Sequence, residues 1–576
     1  MIICKSIVTI CKCFLFPLLY LCASIDLFIN NSITMMKRKI LLLSFIASMT
    51  TVANAQFTPA LTDAEATERY DVQTMEVDGF WWLTKDGMAY PVLAYMCTRR
   101  DVMDTEWLRA TGSYSGDVVI PETVNGQAVT GIYEFTFDGC GSLTSVTLPS
   151  TLKTIGAFAF FRSSLPEITI PSNVTTIGED AFYCENLKKV VIEDGEEVLK
   201  MYSHHNGTAN PWGALGWGQF AAGAQPLEEA YIGRVVETVD DYPLFYGSSV
   251  RRVTFSDIVK EIPESWFAGC EQLESVQLGN GIGSIGNNAF DGCKKLPAID
   301  LPDGVTSIGN GAFNQCEALS NVRMPSDLRT IGEYAFSGTA LQTITIPGGV
   351  EEIGDYALSI ESLRKIVIED GETPLKIGFN GYGAMFSSSA SEMGMKLEDA
   401  YVGRNIDTDL FHGNTTIRRI TFGDKVTTIC ANYCVNCPVL ETIVLGKGVN
   451  TIGEEAFASW EENGSSLCAI YCHATVPPVC ANESVFNNVN KQTCKLYVPE
   501  GAVEAYKAAD VWKDFFNIEV SGVNAAQSDG TAICEIYTLS GQRASSQHRG
   551  LAIQRMSNGA TRKVISGGVR FDGQKY

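Results

Sequence analysis

The chain has 576 residues, 45% of them hydrophobic, and 43 Lys+Arg against 66 Asp+Glu give it a formal charge of −23 and a pI near 4.7. That balance repels a phosphate backbone and an anionic lipid surface, which argues against nucleic acid as a partner and leaves membrane association to sorting or attachment alone. Length by itself counts no domains, because a repeating chain grows by adding coils rather than by enlarging one core.

Residues 1–34 form an apolar stretch holding Cys4, Cys11, Cys13 and Cys22; a start assigned too early explains it most simply, and a membrane anchor is the other reading. Residues 35–55 read as a secretory signal peptide. Met35-Met36-Lys37-Arg38-Lys39 is a basic start, an apolar run too short to span a bilayer comfortably follows, and Ala53-Asn54-Ala55 supplies the small residues of a cleavage site. Residues 56–110 form an N-terminal cap region, in which MEVDGFWWLTKDGMAYPVLAY predicts strands and turns, and YSGDVVIPETVNGQAVTGI leads on into the first coil.

From 111 to 474 a unit recurs. Ile155-Gly156 with Phe160 is followed by Ile177-Gly178 with Phe182, Ile285-Gly286 with Phe290, Ile308-Gly309 with Phe313, Ile331-Gly332 with Phe336 and Ile452-Gly453 with Phe457, each with an Ala before the Phe. Ile262, Ile285, Ile308 and Ile331 are spaced by 23 residues, a period in the leucine-rich-repeat range. Before the Ile-Gly lies an alternating run such as LPAIDLP at 296–302 or LQTITIP at 341–347, whose period of two puts Leu, Val or Ile, and Leu, Ile or Met on one buried face of a short strand. The closing proline cannot donate to a ladder and ends the strand. The Gly after Ile is expected to permit a turn, the Ala a close approach of the next coil, and the Phe to fill the interior and stack on its counterpart.

One coil cannot bury its own apolar face, so the pattern predicts a β-rich repeat solenoid of about 23-residue coils with a parallel sheet on one face, capped at both ends. Cys140, Cys270, Cys293, Cys316 and Cys437 each fall eight residues after a repeat Ile and read as small buried hydrophobes; disulfides between adjacent coils remain open.

Two coils break the rhythm alike. VVIEDGE at 190–196 leads through an insertion, near 196–226, to LEEAYIGR and VRRVTFSD, while IVIEDGE at 366–372 leads through one near 372–396 to LEDAYVGR and IRRITFGD. The array therefore carries a larger internal duplication. Insertions in repeat proteins project as loops from one face, and such loops frequently carry binding. The first holds Trp212, Trp217 and Phe220 and the second Phe379, Tyr382 and Phe386, aromatic candidates for anchoring a ligand unless they fold back over the solenoid's flank.

Residues 475–520 form the C-terminal cap, with Val503, Tyr506, Ala509 and Trp512 at helical spacing, and 521–576 form a tail. These residues resemble the BspA-like leucine-rich-repeat surface proteins of Bacteroidota type, whose pattern L-x-x-I-x-I-P-x-x-V-x-x-I-G-x-x-A-F-x-x-C recurs over roughly residues 110–515. Further on, EIYTLSGQRASSQHRGLAIQRMSNGATRKVI resembles the C-terminal sorting tail of such proteins; the match stops at Ile565, after which the chain continues as SGGVRFDGQKY. The resemblance implies an adhesin-like protein at the outer-membrane surface or secreted, binding extracellular host or bacterial proteins or glycans, with no cofactor. A structural envelope or matrix protein without a specific ligand is the alternative.

Catalytic groupings are not evident. The five histidines, 204, 205, 412, 473 and 548, sit in no metal-ligand spacing, and His204-His205 read as part of a solvated loop before they read as a metal pair. Cys430, Cys434, Cys437, Cys468, Cys472, Cys480 and Cys494 do not form a pair of C-x2-C pairs, and no nucleophile elbow appears, so the chain reads as a non-enzyme without a metal.

Overall fold

The β-branched alternation of each coil does form a strand, and the strands stack in register. The computed structural model describes residues 73–77, 80–85, 88–92, 114–184, 186–202, 226–239, 243–380, 383–387, 394–461, 464–521, 533–538, 550–556 and 561–566. Glu167–Ile170 pairs in parallel with Lys189–Ile192, that with Glu229–Ile232, and that with Arg252–Phe255; in each, the second and fourth residues are buried and the first faces outward. A longer ladder of the same kind runs from Thr343–Ile346 to Asn517–Val520.

The sequence predicts one series of parallel strands; the described residues form two. The repeat Ile closes a two-residue strand, and these strands make ladders of their own: Glu261–Ile262, Ser284–Ile285, Ser307–Ile308, Thr330–Ile331, Glu352–Ile353 and Lys376–Ile377 pair successively in parallel. Ile155, Ile177, Ile285, Ile308, Ile331 and Ile452 line up there, all 2% exposed or less.

Behind them runs a pile of rings. Phe160, Phe182, Phe290, Phe313, Phe336 and Phe457 are buried, and Phe267, Phe290, Phe313 and Phe336 stack nearly parallel with centroids 5.4 Å apart from one coil to the next. Offset ring pairs contribute about 1 kcal/mol each beyond the area they bury, so the spine links neighbouring coils wherever the phenylalanines run on without a break.

The glycine after each Ile serves a different purpose from the expected turn. Its φ is negative, but a Cβ built on Gly156, Gly178, Gly286, Gly309, Gly332, Gly354 or Gly453 would stand 2.4–2.7 Å from a backbone nitrogen of the preceding coil. The residue is small because the coil beneath is in contact. Ile132-Tyr133, Ile262-Pro263 and Ile429-Cys430 lack the glycine, and each opens its two-residue ladder, so that among the described residues no strand of that ladder lies beneath. Tyr202 and Ala481 stand in the same place over a paired strand, beside the first insertion and in the last coil.

The turn itself is made three residues after the Ile. There φ lies between +47° and +60° at Phe135, Phe158, Asp180, Ser265, Asn288, Gly311, Tyr334, Tyr356, Asn432 and Glu455. A second left-handed position follows four residues later, as Gly269, Gly292 and Gly338, or Gln315 and Asn436. Gly292→Ala is expected to cost about 1 kcal/mol, from backbone strain alone, because the nearest atom to its new Cβ is 3.7 Å away; a shift in denaturation midpoint measures it.

The repeat cysteines also differ from the sequence reading. They are buried, but each S–H acts as a donor: Cys270, Cys293, Cys316 and Cys437 reach the carbonyls of Phe245, Phe267, Phe290 and Phe411 at 2.9, 3.2, 3.1 and 3.0 Å. Asn414 occupies the same place and donates from Nδ2 to the Phe386 carbonyl at 2.8 Å. The position therefore selects a small donor, a thiol or amide that pairs with a buried carbonyl. Burial pushes Cys270 up to about 12, so its thiol stays protonated. All twelve described cysteines are free thiols.

Both ends of the array carry further elements, and the helix expected over Val503, Tyr506, Ala509 and Trp512 is shorter than its spacing predicts: it stops at Ala508, and Trp512 lies in a separate turn after Val511 at φ +72°. Gln73–Val77, Phe80–Lys85 and Met88–Val92 form an antiparallel meander, whose last strand pairs in parallel with Gln127–Val129. At the other end helix α1, Val503–Ala508, buries Tyr506, whose hydroxyl donates to the Ala474 carbonyl at 2.8 Å, and Trp512 donates from Nε1 to the Pro478 carbonyl at 2.8 Å. In the tail Ile533–Thr538, Gly550–Met556 and Thr561–Ser566 make a three-stranded antiparallel sheet. The signal-peptide residues 35–55 lie outside the described residues. Among the described residues no helix is long and apolar enough to cross a membrane.

Candidate functional site

The insertions leave the coils at equivalent points, and the same device holds each root. Arg234 and Arg404 are 0% and 1% exposed. Arg404 donates from Nη1 to the carbonyls of Gly348 (2.9 Å) and Val350 (2.6 Å) and from Nη2 to Pro347 (3.0 Å), more than fifty residues back. Arg234 reaches Ser172 and Pro171 in the same way. Between donor and acceptor lies the intervening coil, where a Cβ on Gly371 would stand 2.8 Å from Arg404 Cδ and one on Gly195 3.2 Å from Arg234 Cδ. The glycine of each IEDGE motif is thus a window through which the arginine ties two coils together. Burial lowers both guanidinium pKa values and Glu193 and Glu369 oppose the shift, so both stay charged.

Beside each arginine a tyrosine hydroxyl donates to the aspartate of the same motif, Tyr231 to Asp194 and Tyr401 to Asp370, both at 2.7 Å. That bond to Asp194, with burial, pushes Tyr231 up to about 12.

The outward residues of the strands carry charges that alternate from coil to coil. Lys188 faces Glu228 and Arg251 faces Glu274; one column over, Glu229 lies between Lys189 (3.9 Å) and Arg252 (2.5 Å). The second block repeats it, with Arg364 facing Glu398, Lys365 facing Asp399 and Arg418 facing Glu441. The Arg252 guanidinium holds the Glu229 carboxyl below the usual range. Exposed pairs contribute little one by one, but like charges in register repel, so the columns penalise a slipped strand. Glu229→Lys would set three cations in a row. Its Tm is expected to fall in low salt and to recover in high salt, which a thermal melt at two ionic strengths would measure.

Of the aromatic candidates, Phe379 is 56% exposed where the second insertion begins. Phe386 is not a surface residue: it is fully buried, stacks on Phe411 at 6.0 Å, and belongs to the ring spine, because the chain has rejoined the coil by that point. Trp212, Trp217, Phe220, Tyr382 and the His204-His205 pair lie outside the described residues. Sequence reasoning missed Trp460 and Phe516, 62% and 75% exposed. Trp460 stands eight residues after Ile452, the place of the buried thiols, and that offset was the available signal. It packs edge-on against His412, whose Nδ1 lies 3.1 Å from Asp409 Oδ2. Among the described residues no group of three or more His, Cys, Asp and Glu could hold a metal ion.

Two parallel ladders, a ring spine and a repeat of about 23 residues define a leucine-rich-repeat type solenoid. The chain belongs to the BspA type leucine rich repeat family, whose repeat region matches residues 116–208, 238–364 and 385–476 in six copies, more than half of its length. No curated protein matches the chain. Among solved structures, a leucine-rich repeat protein from Bacteroides ovatus is 22% identical, with 78% of this chain and 98% of that one covered and a TM-score of 0.39. A leucine rich cell surface protein from Faecalibacterium prausnitzii is 19% identical over 78% and 96%, with a TM-score of 0.26. The pneumococcal vaccine antigen PcpA is 14% identical over 78% and 99%, with a TM-score of 0.24. Likenesses this distant carry no functional inference.

Proposed function

We propose that the chain is an exported surface protein that acts by binding and not by catalysis, presenting its insertions to extracellular proteins or glycans. One observation carries the reading. The second insertion is pinned at its far end by Phe386 in the spine and at its base by Arg404, yet it leaves Phe379 outward. A fixed root with an exposed ring is how a rigid scaffold offers an anchor at low entropic cost. The strand face is a poor candidate by comparison, since its charges already pair with one another.

The signal-like segment 35–55 and the tail 521–576 support export and sorting. The internally paired strand face favours a second reading, a structural envelope protein with no specific ligand.

The full chain and a Phe379→Ala/Tyr382→Ala variant should be compared on arrays of matrix proteins and polysaccharides. About tenfold weaker retention of the variant is expected, with Tm unchanged, as is the same loss for Trp212→Ala/Trp217→Ala/Phe220→Ala. If the unaltered chain held to nothing above background, the adhesin reading would be abandoned in favour of the structural one.

A further inference from the structure

The coil from Ile429 to Cys437 departs from the repeat at several positions together. Cys430 replaces the glycine, Tyr433 the alanine, and Cys434 the spine phenylalanine. The large and small residues have exchanged places. The Tyr433 ring fills the interior instead, against Phe411 at 5.7 Å and Phe422 at 5.4 Å, and the ring pile is interrupted between Phe411 and Phe457. This brings Cys434 into the space beside Cys437, which keeps the regular thiol position.

The two sulfurs are 3.0 Å apart, and the residues are 1% and 6% exposed. They stand at the first and fourth places of one tight turn, where Asn436 takes a left-handed φ of +54°. An S–S bond is about 2.05 Å long, so closure asks for a movement of roughly 1 Å within a single turn.

We propose that Cys434 and Cys437 are the site of a disulfide, closed within one coil when the chain folds in the presence of a disulfide oxidant. Two thiols give up two protons and two electrons and form one S–S bond, while the oxidant, a small-molecule or protein disulfide, is reduced to two thiols. The bond forms before the neighbouring coils stack, because once they do, both thiols are screened from solvent. For the same reason the finished bond is shielded from reductants. It fixes the turn where the phenylalanine spine is missing.

The regular column behaves differently. Cys270, Cys293 and Cys316 lie on successive coils, and each S–H is committed to a phenylalanine carbonyl of the coil before it. They remain thiols. Cys437 also donates to its carbonyl, that of Phe411, which accepts the Asn414 N–H at 2.9 Å just as the carbonyls of Phe245, Phe267 and Phe290 accept the N–H of Ser248, Cys270 and Cys293; what sets Cys437 apart is the second thiol, Cys434, within its own turn.

The test uses the full chain produced in an oxidising compartment of an expression host, so it does not depend on where the native protein resides or what it binds. The soluble folded fraction is quenched in acid, denatured, alkylated without reductant and digested after lysine. The peptide from Val426 to Lys447 holds three cysteines, Cys430, Cys434 and Cys437. One alkyl group, on Cys430, is expected before reduction and three after, with the unreduced peptide lighter by the two hydrogens lost in the bond. Cys270, Cys293 and Cys316 are expected to alkylate in the first step. Three alkyl groups on the peptide without reductant, or fragment ions that join Cys430 to either partner, would overturn the proposal. In a Cys434→Ser chain, Cys437 should alkylate in the first step, and a Cys437 that stayed blocked would equally end it.

Discussion

Replacing Gly332 by alanine is expected to lower the unfolding free energy by about 3 kcal/mol. The added methyl would lie 2.5 Å from the Asn310 backbone nitrogen and 2.6 Å from the Gly309 carbonyl carbon, both main-chain atoms of the coil below. Neither can turn aside as a side chain would. The coils must part, and with them the Ile308–Ile331 strand pair and the Phe313–Phe336 ring stack, which share that spacing. Gly283→Ala is the matched control: its nearest atom, the Lys260 carbonyl oxygen, is 3.7 Å away, and a change within about 0.5 kcal/mol is expected. Denaturant midpoints give the comparison, and amide exchange around residues 308–336 would place the damage. Equal effects of the two substitutions would refute the contact argument.

Arg404→Ala is expected to be as costly, about 3 kcal/mol or more. It takes the guanidinium donors from the carbonyls of Gly348, Val350 and Pro347, of which Pro347 keeps the Val350 N–H, and empties the window over Gly371. Arg404→Met restores much of the volume but none of the donors and should recover part of the loss. Arg404→Lys restores charge and one donor point without the planar fork, and should recover more than methionine does. The order Arg, Lys, Met, Ala in Tm checks the reading. If methionine matched the arginine, packing and not hydrogen bonding would hold the insertion root. The equivalent series at Arg234 is expected to run in the same order, since its guanidinium is as deeply buried and bonded to Pro171 and Ser172.

The architecture was legible because its signals are columns: Ile155, Ile177 and Ile285 or Phe160, Phe182 and Phe290 recur at nearly constant steps, and burial follows from the period. The second ladder was not, because two residues are too few to show alternation. The glycine after Ile reads as a turn residue, since a tight turn and a close neighbour ask for the same residue in a sequence. Ile132-Tyr133, Ile262-Pro263 and Ile429-Cys430, three of the places where the glycine is absent and each the first of its ladder, hold the information that separates the two, although Tyr202 and Ala481 lack it over a paired strand. Likewise Asn414 in the thiol column shows that a donor was needed there, whereas a column of cysteines alone reads as hydrophobic.

For the candidate site the sequence did less well. Phe386 reads as one of three aromatics in a loop, but it stands 25 residues before Phe411, close to the coil step, and the insertion hid that count. Arg234 and Arg404 carry no local signal of their role, because nothing in the neighbouring sequence indicates that a guanidinium will cross an entire coil to reach its acceptors. What did transfer was the pairing of the two blocks: every root residue found at the first insertion has its counterpart at the second.

That pairing bears on how such a chain can change its length. Leu187 is followed by Lys188-Lys189 and Leu363 by Arg364-Lys365, and the coil after each offers acidic residues in the matching columns. A genetic exchange that joined Leu187 directly to Arg364 would remove seven coils and still deliver cations opposite Glu398 and Asp399. Arrays of this kind can shorten or extend by whole blocks without leaving a mismatched seam, so that reach can vary between descendants while the interior contacts at the junction stay intact.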